Sequence, residues 1–286
     1  MSPGKRILRA VGSPGRYIKT TMREGSLNAS IFSLVIICLG AGTLTIPYNF
    51  YLNGYIVGSL CVILGALLSS FTGYLMIYTS EKTGGTCYEE IALATFGQKG
   101  QRFTSICMIP CNMGFFVSYI VLFKSFAPYS LILIGLDLPA WCDNTRGGQI
   151  FWSILFTAIT CILTIPRKLS SLRFASAFSV LLSVYVVLVI VFEACLKRGT
   201  STSISSGFEA GRDKDQLSLT SIFQSLPLIL FSYMYQVNVP QIYQDLEGKN
   251  LKKGKKVLIL GTIMAASLYI IAGIFGYISF TDGSTE

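Results

Sequence analysis

The sequence predicts an all-α, multi-pass membrane helical bundle, and three observations predict it. Of 286 residues, 52% are apolar and only 13% are charged, against about 25% charged in ordinary soluble domains. Residues 25–80 contain no Asp, Glu, Lys or Arg, and such gaps recur at 103–123, 147–166, 174–192, 216–244 and 257–281. About 20 uncharged, mostly apolar residues cross a bilayer core as one helix. The third observation is where the basic residues fall: they flank these gaps and form no single patch. The lipid bilayer is therefore the expected partner, and the net charge of +9 does not point to nucleic acid.

Residues 1–24 are polar and carry Lys5, Arg6, Arg9, Arg16, Lys19 and Arg23. They lack the apolar core of a cleaved signal peptide, so they are expected to be a disordered, basic, cytosolic tail ahead of a membrane domain over 25–286. The first span is predicted over 27–51. A turn at Asn53-Gly54 reverses the chain, and a second span follows over 55–79. A loop over 81–102 precedes a long third span, 103–134. A polar stretch with Pro139, Asp143, Asn144 and Gly147-Gly148 leads to the fourth span, 150–165, which Pro166-Arg167-Lys168 ends. The fifth span runs over 174–196, and the Ser/Thr/Gly-rich segment 199–220 reads as a mobile loop. The sixth span covers 221–246 and the seventh 257–280.

Orientation follows from alternating these loops across the membrane. With the N-terminus inside, the inner segments hold six, three, three and five basic residues, and the outer ones hold five: Arg146, Lys197, Arg198, Arg212 and Lys214. The N-terminus is predicted to be cytosolic, which argues against a seven-helix receptor, whose N-terminus lies outside. The glycosylation triplet Asn28-Ala29-Ser30 would then face inward, where no glycan is added.

Several function classes fall away. The chain has no histidine, which removes His-based zinc sites, histidine general bases and most haem ligation, and no enzyme is expected. The eight cysteines are scattered, mostly inside apolar runs, and show no disulfide framework or CxxC metal pattern; Cys142 lies in a clear loop. Cys107 and Cys111 share a helix face and are expected to be small core residues. Lys124 lies inside the third span, too far from its end to snorkel easily, and is expected to have a structural partner within the bundle, with substrate contact as the alternative.

Two spans carry chemistry. The first reads Leu39-Gly40-Ala41-Gly42-Thr43-Leu44-Thr45-Ile46-Pro47, with two glycines and two threonines in mid-membrane and a proline close behind. That composition weakens a helix. At a break, freed backbone N–H groups can hold a carboxylate and freed carbonyls can hold an amine or a cation; close helix packing by small residues is the competing account. The sixth span reads Phe231-Ser232-Tyr233-Met234-Tyr235-Gln236-Val237-Asn238-Val239-Pro240-Gln241, a polar density that hydrocarbon does not tolerate unless it faces a cavity. Both spans open alike, Ser30-Ile31-Phe32 and Ser221-Ile222-Phe223. Paired interrupted helices at corresponding positions of two halves point to a transporter binding site, with a repeat of five helices over about 27–196 and a second beginning at about 221–280.

Five segments stand out in order. Three are Gly40-Ala41-Gly42-Thr43-Leu44 with Ile46-Pro47-Tyr48; Thr86-Cys87-Tyr88-Glu89 with Ala94-Thr95-Phe96-Gly97; and Ser118-Tyr119 with Lys124-Ser125 and Pro128. The last two are Ile165-Pro166-Arg167-Lys168-Leu169 with Leu172-Arg173, and Phe231-Ser232-Tyr233 with Val239, Ile242-Tyr243 and Asp245-Leu246. Together they resemble the amino acid/auxin permease family, closest to its sodium-coupled neutral amino acid transporter branch. The resemblance implies a LeuT-like inverted-repeat fold and secondary active transport of neutral amino acids by alternating access, in the plasma membrane or a vacuolar or lysosomal membrane. The substrate-binding residues it favours, with the broken-helix reading, are Gly40, Ala41, Gly42, Thr43, Thr45, Phe231, Ser232, Tyr235, Gln236 and Asn238. No catalytic residue, resident cofactor or metal is expected, but Na+ or H+ could couple transport, with a possible cation contact by the backbone of Leu39, Gly40 and Thr43.

The chain also departs from the pattern. Gln236 stands where many members carry His, and Ile36 stands where sodium-coupled members carry Asn, which removes one side-chain oxygen. Phe126 replaces a Glu after the third-span lysine. Seven spans end two into the second repeat, so the sequence is expected to be truncated relative to the family fold and not to transport unaided. An amino acid sensor without flux is the alternative, and nothing in the sequence suggests the repeated pore loops of a channel.

Overall fold

A computed structural model describes residues 25–40, 42–135, 146–164, 172–198 and 219–281. The predicted tail, the loop 199–218 and Cys142 lie outside these. The regular elements are helices: α1 Leu27–Cys38, α2 Gly42–Thr83, α3 Tyr88–Leu133, α4 Arg146–Thr164, α5 Leu172–Arg198, α6 Leu219–Ser232, α7 Val239–Gln244 and α8 Leu251–Thr281. A 3-10 turn, Gln236–Asn238, precedes α7, and no strand occurs among the described residues. Three helical stretches, Gly42–Thr83, Tyr88–Leu133 and Leu251–Ser279, are long and apolar enough to cross a membrane. On α2, Leu60, Leu64, Leu67, Leu68 and Phe71 all point outward. A contiguous apolar belt of that kind is suited to lipid and unsuited to water, and the chain is an integral membrane protein.

The predicted reversal at Asn53-Gly54 is present inside α2. Gly54 has φ +73°, a left-handed conformation that disfavours a Cβ. Two asparagines satisfy the backbone around it. Asn49 Nδ2 donates to the Gly58 carbonyl at 3.2 Å, and Asn53 Nδ2 donates to the Asn49 carbonyl at 3.1 Å and to Asn49 Oδ1 at 3.0 Å.

Two expected loops are partly helical. The loop expected over 81–102 is helix from Tyr88 onward, bent at Gly97. Its charged residues start the helix: the Thr86 N–H and hydroxyl both donate to Glu90 Oε2, at 2.7 and 2.8 Å, and Glu89 and Glu90 lie at the positive end of the dipole. Those bonds hold the exposed Glu90 carboxyl below the usual carboxylate range. Likewise, the lysine-rich segment before 257 is helical from Leu251, where Asn250 Oδ1 accepts from the Lys252 N–H at 2.7 Å.

The chain divides into two compact units, Phe96–Phe174 and the remainder. The larger unit packs α1, α2, α6, α7 and α8 around Leu34, Phe50, Tyr233, Tyr235, Leu258 and Tyr269. Gly273 of α8 lies so close to Phe50 that any Cβ there would collide with the ring. Small residues of this kind let membrane helices approach closely. At the end predicted to be cytosolic, Ser26 caps α1 by accepting from the Ala29 N–H at 3.2 Å. The Glu247 N–H donates to the Gly25 carbonyl at 2.8 Å, and Lys253 Nζ donates to the Glu247 carbonyl at 2.9 Å.

In the smaller unit, Phe123 of α3 meets Phe156 and Trp152 of α4, with ring centroids 5.0 and 6.2 Å apart. Cys107 is exposed, which corrects its expected place in a core; Cys111 is half-buried. Lys124 is half-buried, and among the described residues it shows none of the expected bonds to a partner.

Candidate functional site

Both predicted breaks are present. The first separates α1 from α2. α1 ends at Cys38, where the Leu39 N–H donates to the Val35 carbonyl at 2.9 Å, and α2 begins at Gly42. Gly40 is exposed between buried Leu39 and buried Gly42. The Thr43 N–H donates to the Gly40 carbonyl at 3.3 Å. Pro47, one turn into α2, has no N–H to offer the Thr43 carbonyl. Hydroxyls serve the loosened carbonyls: Thr43 Oγ1 donates to Leu39 at 2.9 Å, Ser183 Oγ of α5 to Leu39 at 3.4 Å, and Thr45 Oγ1 to Gly42 at 3.0 Å.

The second break separates α6 from α7. The Ser232 hydroxyl folds back to the Leu228 carbonyl at 2.7 Å. The chain then leaves the helix at Tyr233 and re-enters through the 3-10 turn. Inside the break, the Met234 N–H donates to the Phe231 carbonyl at 3.3 Å, Tyr235 to Tyr233 at 2.9 Å and Asn238 to Tyr235 at 3.0 Å. Pro240 sits in the first turn of α7, where its missing N–H costs nothing, so it starts that helix.

The two breaks touch. A Cβ on Gly42 would lie 2.8 Å from Ser232 Cα, Ser232 Cβ and the Tyr269 hydroxyl oxygen, far inside van der Waals contact. Only glycine lets the start of α2 come this close to the end of α6. The Tyr269 hydroxyl, from α8, donates to the Ser232 carbonyl at 2.8 Å and is also bonded to the Cys38 carbonyl.

Of the predicted substrate residues, the structure thus brings Gly42 and Ser232 together, with Thr43 and Thr45 on the same side of the first break. Ala41 lies outside the described residues, and Phe231 is half-buried at the end of α6. Tyr235 and Gln236 turn to other helices. The Tyr235 hydroxyl is 2.9 Å from Thr262 Oγ1 of α8. Gln236 Nε2 donates to Ser69 Oγ at 2.8 Å and Thr72 Oγ1 at 3.2 Å, both on α2, and Ser69 Oγ donates to the freed Tyr233 carbonyl at 2.9 Å. Asn238 is half-buried.

Of the three cation contacts expected, two are already engaged by protein groups, Leu39 by two hydroxyls and Gly40 by an N–H, while the Thr43 carbonyl receives no N–H from Pro47. Among the described residues there is no group of three or more His, Cys, Asp or Glu side chains that could hold a metal. An apolar crevice among Leu34, Ile77, Val239, Tyr243, Leu246 and Leu258 has room for about one water molecule, and none of the predicted substrate residues lines it.

Sequence reasoning missed Ser69, Thr72, Ser183, Thr262 and Tyr269. A signal existed for some of them. Ser69, Ser70 and Thr72 are polar residues in an otherwise apolar stretch, and Thr262 and Tyr269 are two helical turns apart on one face.

Broken helices that meet are a geometry found in membrane transporters, and the comparison with known proteins shows the family. The family profile described as transmembrane amino acid transporter protein matches residues 23–285. The chain belongs to this transmembrane amino acid transporter family. It is 27% identical over 274 residues to a protein named amino acid transporter AVT6E from Arabidopsis thaliana, covering 92% of this chain and 54% of that one. It is 22% identical over 296 residues to sodium-coupled neutral amino acid symporter 2 from Danio rerio, covering 98% and 56%. A putative amino acid transporter named AAT1 from Toxoplasma gondii is 26% identical over 259 residues, covering 90% and 34%. This transporter-family chain therefore spans about half the length of the first two. No solved structure matches it.

Proposed function

We propose that the chain carries the substrate site of a secondary active transporter for neutral amino acids, working by alternating access in a LeuT-like fold with a cytosolic N-terminus. Backbone N–H groups around Gly40, Ala41, Gly42 and Thr43, with the Thr45 hydroxyl, take the carboxylate at the positive end of the half-helix that α2 begins. The α6–α7 break, from Phe231 and Ser232 through Tyr235, Gln236 and Asn238, takes the amine. The contact between Gly42 and Ser232 carries this reading, because it brings both breaks to one point in the fold. The exposed backbone of Gly40 is its open edge. Na+ or H+ supplies the coupling, and the membrane is the plasma membrane or a vacuolar or lysosomal one.

The test is binding of a panel of neutral amino acids to the purified chain, read as a thermal shift and checked by tracer displacement. At least one is expected to bind, and Gly42→Leu is expected to abolish binding while leaving the helical circular dichroism intact. Retained binding in that variant removes the site. A sensor reading is tested by counterflow in proteoliposomes: exchange of a bound amino acid overturns it.

A further inference from the structure

We propose that Tyr269 is a positioning residue, a clasp that ties the two helix breaks together so that they open as one unit. It rests on the transport reading only in treating the breaks as the site. Three observations support it. The phenol sits at the C-terminal ends of both α1 and α6, bonded to the Cys38 and Ser232 carbonyls. Those ends carry the negative poles of their helices, so a hydrogen-bond donor is favoured there. The residue is wholly buried, and its ring meets Tyr233 edge-on with centroids 5.3 Å apart, which fixes where the hydroxyl points. Finally, Tyr269 rides on α8, an unbroken helix of 31 residues, so both carbonyls are referred to one rigid element.

One hydroxyl carries one proton. Held between two carbonyls, it can satisfy either or be shared by both, and separating the breaks means giving one of them up. Opening at α1 is therefore felt at α6. Gly42 completes the arrangement, since its missing side chain is what admits the phenol oxygen and Ser232 to the same spot.

The experiment uses the whole detergent-solubilised chain and needs no amino acid. Cys38, whose carbonyl the phenol holds, is buried. Its modification by N-ethylmaleimide is followed by mass spectrometry, with Cys87, ahead of α3, as internal reference. Tyr269→Phe removes the hydroxyl and keeps the ring; Tyr269→Ala removes both. Tyr269→Phe is expected to speed Cys38 modification about fivefold, the population shift that one lost hydrogen bond produces, with Cys87 unchanged. Backbone hydrogen exchange is expected to rise jointly in peptides covering 34–40 and 229–235. The proposal is overturned if Tyr269→Phe labels Cys38 at the parental rate while Tyr269→Ala labels it faster, since ring packing then does the work. Equal acceleration at Cys38 and Cys87, or exchange rising at only one break, overturns it too. If no amino acid binds in the earlier test, these readouts stand unaffected; if the clasp fails, the substrate site remains to be judged on binding.

Discussion

Gln236 shows how a single side chain can hold a helix open. Its amide donates to Ser69 and Thr72, and Ser69 passes the bond to the Tyr233 carbonyl that the break leaves without a helical partner. Gln236→Leu is expected to lower the melting temperature of the detergent-solubilised chain, with a loss of about 1 kcal/mol, typical of one interhelical hydrogen bond in a membrane protein. Gln236→His replaces an amide that never titrates with a ring that does. The melting temperature of that variant is expected to change between about pH 5 and 8, where the parent stays flat. The polar character of position 236 could be read directly from the sequence. Its partners could not, because 167 and 164 residues separate Gln236 from Ser69 and Thr72, and no local pattern spans that distance.

The helices were legible in proportion to how far local chemistry decides them. Charge-free gaps found the apolar stretches, and the Asn-Gly pair found the turn at Gly54, because a positive φ needs a residue without a Cβ. Gly54→Ala is expected to cost about 1–2 kcal/mol, measured as a lower midpoint in thermal unfolding. Charges misled at both ends of loops. Glu89 and Glu90 suggested a loop over 81–102, yet in the first turn of a helix they complement its dipole. Because Glu90 titrates below its ordinary range in the folded chain, its cap is fully present above the ordinary carboxylate pKa. The cap is lost as pH falls through the depressed folded value. Hydrogen exchange in 88–96 is therefore expected to be slow at neutral pH and to quicken in acid relative to intrinsic rates. Thr86→Ala should move that onset to higher pH.

For the molecule entire, weak helix formers in mid-membrane foretold that two helices would break, and the breaks lie where the glycines, threonines and polar residues put them. That the breaks would meet, with Gly42 against Ser232 and Tyr269 across both, depends on tertiary packing that no single stretch encodes. Topology is the matching test. Because the sequence predicts Lys and Arg to concentrate on the cytosolic side, Asn28 is expected to carry no glycan when the chain is made in glycosylating membranes, and a glycan there would reverse the assignment. The tie between Gly25 and Glu247 has a consequence of a different kind. It joins main chain to main chain, so mutation of neighbouring side chains leaves its two atoms in place, and the tie is largely indifferent to which residues decorate it. Its one vulnerable point is Gly25, at φ +76°, where a methyl group would collide with the Asp245 carbonyl and the Glu247 side chain. Drift in the surrounding sequence is thereby tolerated, while the smallest change at one residue unfastens the end.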